Sequence, residues 1–153
     1  MIYCTNCFYP SSKPDLVFDK NGKCSACVAF ENRKKIDWNI RENEFTKIVK
    51  LIKKKTYNYD CLIPVSGGKD STWQVLKALE YGLKPLCVNA RTCDLSQIGR
   101  ENLDNIKSLG VDLIEVVPDQ KVRWKLNKIG LLAVGDISWP EHIAIFTIPI
   151  KIA

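Results

Sequence analysis

The sequence predicts an α/β protein built on a parallel sheet, preceded by a small four-cysteine module. Three observations carry this. Short apolar runs at 60–65, 85–90 and 112–117 alternate with longer amphipathic stretches near 70–81 and 95–109, which end at Gly82 and Gly110. A strand–helix–strand–helix–strand order requires crossover connections, and those make a parallel sheet. The four cysteines of the first 30 residues fall as Cys4-x2-Cys7 and Cys24-x2-Cys27. Finally, Ser66-Gly67-Gly68-Lys69-Asp70-Ser71 stands between the first apolar run, Cys61-Leu62-Ile63-Pro64-Val65, and the helix that follows.

Taken in order, residues 1–30 read as a zinc-ribbon-like module. Sixteen residues separate the two cysteine pairs, a spacing at which each knuckle can present two thiolates to one tetrahedral zinc ion (Zn2+). Turn residues in Pro10, Pro14 and Asn21-Gly22 bring the second knuckle back. Four protein ligands leave no open position, so such a metal is structural. Two disulfides, an iron–sulfur cluster and free thiols are the rival readings; the start Met1-Ile2-Tyr3 has neither a basic nor an apolar leader region, which predicts a cytoplasmic, reducing environment and disfavours disulfides. Residues 31–58 link the module to the rest through an amphipathic helix over 41–55, with Phe45, Ile48, Val49 and Ile52 on one face and Lys47, Lys50 and Lys54 away from it.

The remainder, 59–153, is the α/β domain. Adjacent glycines allow a tight turn that aims backbone N–H groups outward, and the following helix start adds its own donors and positive dipole end, an arrangement that binds phosphate. Lys69 adds a cation, and Ser66 and Ser71 add hydroxyls. A Walker A loop is excluded, because Ile63 stands where its first glycine belongs and Asp70 where its Ser/Thr belongs; the G-x-G-x-x-G dinucleotide fingerprint also fails. In parallel sheets ligands bind beyond the carboxyl ends of the strands, so the end of the second strand, Val88-Asn89-Ala90, lines the same crevice, with Asn89 a candidate adenine contact and plain core an equal alternative. Cys61 and Cys87 read as core. Cys93, in the loop after the second strand, is a candidate for sulfur transfer, and His142, the sole histidine, for substrate contact or a surface role.

Beyond Pro118 a helix over 121–132, a Gly135-Asp136 turn and a terminal apolar run from Ile143 remain. Three strands are clear and one is weak, where a nucleotide-binding sheet of this type needs about five, so the domain reads as incomplete, a truncated product or a fragment. With 46% hydrophobic and 26% charged residues and no run of membrane-spanning length, the chain has the composition of a globular domain rather than a membrane protein. Its net charge of +6, partly from Lys53-Lys54-Lys55, allows an anionic partner without requiring nucleic acid.

The stretch Ser66–Ser71 resembles the SGG-x-DS signature of the ATP pyrophosphatase, or PP-loop, superfamily, with its adenine nucleotide alpha hydrolase-like (HUP) fold. Members cleave ATP between the α and β phosphates. Within it, the chain looks like the N-terminal part of the N-acetyl sugar amidotransferases of lipopolysaccharide O-antigen and flagellin glycan biosynthesis, including the pseudaminic acid enzymes. The matching stretches are Cys4-Thr5-Asn6-Cys7, Tyr9-Pro10, Phe18-Asp19-x-Asn21-Gly22-x-Cys24-x2-Cys27 and Cys61 to Ser71. Further matches are Gly99-x2-Asn102-Leu103, Gly110-Val111-Asp112 and Gly135-Asp136-x2-Trp139-Pro140-x-His142. Members run to more than twice this length.

The resemblance implies ATP and a magnesium ion (Mg2+) at Ser66, Gly67, Gly68, Lys69, Asp70 and Ser71, with Lys69 and Asp70 catalytic, Asp70 holding the metal and Asn89 near the adenine. It also implies an N-acetylated sugar acceptor, free or nucleotide-linked, and a separate glutaminase subunit, since the chain shows no glutaminase pattern of its own. A PP-loop tRNA thiolase is the alternative, but the paired cysteines such enzymes carry after the turn are missing, as only Cys87 and Cys93 follow it. An inactive ATP- and zinc-binding fragment is the other.

Overall fold

The computed structural model describes residues 1–55, 58–92 and 94–153. The chain divides into two compact units, Met1–Phe45 and Thr46–Ala153. Cys93 lies outside the described residues.

In the first unit the two knuckles are held by short antiparallel bridges, Tyr3 with Pro10 and Phe18 with Cys24. The turn between the latter pair is tied by Asp19, whose Oδ1 accepts from the N–H groups of Asn21 (2.8 Å) and Lys23 (2.9 Å). Cys24 then opens helix α1 (Ser25–Arg33). That helix is absent from the sequence reading, because a nine-residue helix beginning inside a cysteine knuckle carries no amphipathic signal of its own. Helix α2 (Trp38–Lys53) starts three residues before the expected linker helix. Of its expected apolar face only Val49 is buried; Phe45 and Ile48 are exposed.

The second unit holds a three-stranded parallel sheet in the order β1 (Cys61–Pro64), β2 (Pro85–Ala90), β3 (Asp112–Val116). Helix α3 (Lys69–Glu80) crosses from β1 to β2, and α4 (Gln97–Ser108) from β2 to β3. Strand alternation then sorts the side chains. Ile63, Val65 and Cys87 pack with Val75 and Ala78 of α3 and Leu103 and Ile106 of α4, forming the core. Residues of the other parity, Pro64 and Val88, face the opposite side. The interior position of Cys87 matches its expected core role, and burial raises its thiol to about 11, well out of the reactive range.

Helix α5 (Gln120–Val134) is capped by Asp119, whose Oδ1 accepts from Val122 N–H at 2.8 Å, and it ends at Gly135. The terminal run is not a strand. It forms helix α6 (Trp139–Ile152), which packs against α5 and across β1 and β2. Its many β-branched residues favour a strand by propensity, but Pro149 would remove a ladder donor, and the early Pro140 suits a first helical turn. The weak fourth strand is therefore absent among the described residues. No single helix there is long and apolar enough to cross a membrane.

Helix α4 is fastened to β3 by a bidentate pair, Arg100 Nη1 and Nη2 to the two Glu115 oxygens at 2.7 and 2.8 Å. The hydrogen bonds from Arg100 outweigh partial burial and hold the Glu115 carboxyl below its usual 4.5. A carboxyl depressed in the folded state stabilises it above the unfolded pKa and loses that contribution as pH falls through the folded one. Urea titrations from pH 7 down to pH 3 are expected to show stability falling in acid, with a shallower fall in Glu115→Gln. An identical slope in the two proteins counts against the pair.

Candidate functional site

Each unit carries one candidate site. In the first, the four expected cysteines converge: Cys4, Cys7, Cys24 and Cys27 place all four sulfurs within 4.8 Å of one another. Cys4 and Cys27 are 3.9 Å apart and Cys7 and Cys24 3.6 Å, with none joined in a disulfide. Four sulfurs at ~2.3 Å from a tetrahedral zinc stand about 3.8 Å apart, so the cluster has the donor set and the size for such a metal. The backbone is arranged to favour thiolate. Burial pushes the Cys4 thiol up, but N–H groups of Cys24, Cys7 and Asn6 more than offset this and bring it down to about 6. Asn6 Nδ2 also donates to Cys27 Sγ at 3.2 Å. Cys7 is pushed up to about 12: the Tyr9 backbone lowers it, and burial with the three neighbouring sulfurs outweighs that. Such mutual repulsion among sulfurs is relieved by a divalent cation.

In the second unit the glycine turn leaves the carboxyl end of β1. Val65 still belongs to the sheet, its N–H donating to Val88 O at 2.9 Å. Gly67 then takes φ +81°, and it is buried against α4: a Cβ there would lie 3.0 Å from Asn102 Cβ and 3.3 Å from Leu103 N. Both the backbone angle and the close approach demand glycine. Gly68 differs. It has φ −74° and ψ 165°, N-caps α3 without a side-chain bond, and a Cβ there would meet only Ser66 Oγ at 3.4 Å.

The hydroxyls brace the turn. Ser71 Oγ donates to Gly68 O (3.0 Å) and accepts from Ser66 N–H (3.4 Å), while Ser66 Oγ accepts from Gly68 N–H (3.4 Å). Lys69 and Asp70 project into solvent and pair with each other at 2.6 Å. Both side chains are more than four-fifths exposed, so the pair is weak and either partner is readily exchanged for a ligand.

Asn89 is buried at the end of β2 and clamps the turn from behind, its Nδ2 donating to Val65 O at 2.6 Å. That bond fixes the amide orientation and leaves Oδ1 buried without a partner among the described residues. Asn89 lines a cavity of ≈ 320 Å³ with Ser66, Arg91 and Thr92, roofed by Ile145 and Pro149 of α6. Pro149 has no N–H to give to the Ile145 carbonyl four residues earlier. The rear wall thus holds an acceptor that no donor among the described residues meets.

The crevice thus gathers Ser66 and Asn89, with the turn at its edge, at the carboxyl ends of parallel strands, where an uncapped helix start favours an anion. The sequence reading missed Arg91 and Thr92 in the crevice wall. Position after a strand was the available signal for both. It also missed the packing role of Asn102 and Leu103. His142 is exposed on α6 and does not line this cavity. Comparison with known protein families and with curated proteins gives no match to the chain.

Two expectations follow. In urea denaturation, Gly67→Ala is expected to destabilise the second unit by ~1–2 kcal/mol or more, from the left-handed angle alone, while Gly68→Ala stays within about 0.5 kcal/mol of the parent. Equal effects would refute the distinction. For the cysteine cluster, elemental analysis should find about one equivalent of metal in the parent and a large loss in Cys24→Ser, with chelators melting the first unit. Metal retained at full stoichiometry in that variant would exclude a four-thiolate site.

Proposed function

We propose that the chain is the ATP-binding part of a PP-loop enzyme that adenylates the N-acetyl group of a sugar and exchanges its oxygen for ammonia. The observation that carries this reading is the SGG-x-DS turn itself: a left-handed, closely packed Gly67 followed by a sterically open Gly68 at the uncapped start of α3. Phosphate oxygens approach that open side and meet backbone donors and the helix dipole. The adjoining cavity is walled by Asn89, whose Oδ1 is an acceptor without a partner among the described residues and suits the exocyclic amino group of adenine.

In the proposed reaction the acetamido oxygen attacks the α-phosphorus and pyrophosphate leaves. Ammonia then adds to the activated carbon, AMP departs with the former carbonyl oxygen, and a proton is lost, leaving an acetamidino group. Lys69, exposed beside the turn, neutralises charge building on the departing pyrophosphate. Asp70 supplies the carboxylate that would hold a magnesium ion, consistent with a metal bound by one or two carboxylates and the phosphates. That ion supplies further charge neutralisation on the phosphates. A zinc ion held by Cys4, Cys7, Cys24 and Cys27 would be structural, because four thiolate ligands would leave no position for a substrate. Ammonia comes from a separate glutaminase.

The protein, together with any chain segment needed for turnover, should form AMP and pyrophosphate from ATP only when an N-acetylated sugar is present, with free ammonium replacing the glutaminase. Lys69→Ala should weaken ATP binding about tenfold or more through loss of a charge-assisted contact. AMP formation that requires tRNA and sulfide instead, and is lost in Cys93→Ser, would establish a thiolase and end this proposal.

A further inference from the structure

Helix α6 has two unlike sides. Buried Pro149 and half-buried Glu141, Ala144, Ile148 and Ile152 face the sheet and α5. On the opposite side Trp139, Ile143, Phe146 and Ile150 recur at i, i+4, i+7 and i+11, one apolar stripe from the first turn to the last, and all four are exposed. Phe146 and Ile150 keep 69% and 76% of their surface in solvent. Around the turn into α5 the exposed apolar side chains continue with Ile137, Val134 and Leu132. A contiguous apolar patch of this kind marks a binding surface.

The charges beside the patch identify what covers it. Helix α5 holds four cations, Lys121, Arg123, Lys125 and Lys128, and no acid. Arg123 and Asn127 are half-buried and Gly130 is buried, so their side of the helix faces inward. The three lysines lie on the outward side, exposed and interleaved with exposed Trp124, Ile129 and Leu132. None of the three forms an ion pair with a described residue. The acids nearest in sequence, Asp119, Asp136 and Glu141, each accept a hydrogen bond within the fold. A partner helix is normally met by flanking charges of both signs, and a second copy seated on the same patch would set lysine against lysine. Exposed cations of one sign among aromatic and aliphatic side chains instead fit a surface that is anionic outside and apolar beneath. Trp124 and Trp139 are of the residue type that favours the headgroup level of a bilayer.

We propose that α5 and α6 form a peripheral docking surface for a membrane containing anionic phospholipid. Neither helix alone is long and apolar enough to cross a bilayer, and the two are bent by 119°, so the pair lies in the interface rather than spanning it. Lys121, Lys125 and Lys128 meet lipid phosphates with their stems along the apolar surface, while Leu132, Phe146 and Ile150 enter the acyl boundary. The inward side of α6 roofs the crevice through Ile145 and Pro149, so docking sets that crevice beside the membrane. Docking through this face is independent of the chemistry assigned to the crevice.

The test is flotation of the whole chain with lipid vesicles. The chain is expected to bind vesicles of phosphatidylcholine mixed with phosphatidylglycerol but not phosphatidylcholine alone, and to be released as added salt screens the headgroups. The triple variant Lys121→Gln, Lys125→Gln, Lys128→Gln and, separately, the double variant Phe146→Ser, Ile150→Ser should each weaken binding about tenfold or more. All five side chains are exposed, so neither set disturbs the core. Trp73→Ser removes a comparably exposed aromatic from α3, on the other face of the sheet, and should leave binding unchanged. Absence of binding, equal binding to neutral vesicles, or an equal loss in Trp73→Ser would overturn the proposal. Sedimentation showing a dimer that the Phe146 and Ile150 substitutions dissociate, in a chain that ignores vesicles, would assign the face to a second copy instead.

Discussion

The close approach of Gly67 to the backbone of α4 sets the geometry of the second unit. With Asn102 and Leu103 pressed against it, the turn has one position, and the start of α3 inherits that position. Leu103 is itself fully buried in the core, so the contact is backed by packing rather than by a flexible loop. On the other flank Asn89 holds the Val65 carbonyl, and β3 anchors α4 through Arg100 and Glu115. The turn is thus supported by three elements while its outward side carries only Gly68, Lys69 and Asp70. Rigid support with an open outer face is what binding an anion through backbone groups demands.

The first unit obtains its order differently. Its buried apolar residues are cysteines, Cys4, Cys24 and Cys27, with Leu16 and Phe18 packed against them, and no large side chain is fully buried there. So small a cluster supplies little hydrophobic stabilisation. The backbone N–H groups aimed at Cys4 and the amide of Asn6 on Cys27 instead arrange the sulfurs for a cation. Two knuckles separated by sixteen residues can be held by such a centre with almost no core.

Legibility in the sequence followed how strongly each segment was constrained locally. The three strands stood out because each is a short apolar run, and β2 falls on the expected 85–90 because both its faces are covered. The cysteine spacing reports metal-ligand geometry directly, so all four residues were found together. The terminal run was ambiguous for a physical reason. It is apolar apart from Thr147 and Lys151, too few polar positions to separate a helical period from a strand one, and only Pro140 and Pro149 hint at the outcome. Asn89 was placed in the crevice by topology, yet its grip on Val65 is a tertiary contact that no local pattern encodes.

The strand order β1-β2-β3 follows the order of the chain, so every strand pairs with a neighbour in sequence and the sheet can grow as the polypeptide leaves the ribosome. Its first strand and the glycine turn emerge early, but the wall that immobilises Gly67 belongs to α4 and appears some thirty-five residues later. Until then the Ser66–Ser71 segment is a loose loop with two adjacent glycines. Ligand competence is therefore acquired during synthesis only once the second crossover has docked, and a nascent chain halted before residue 103 would present the signature without the shape.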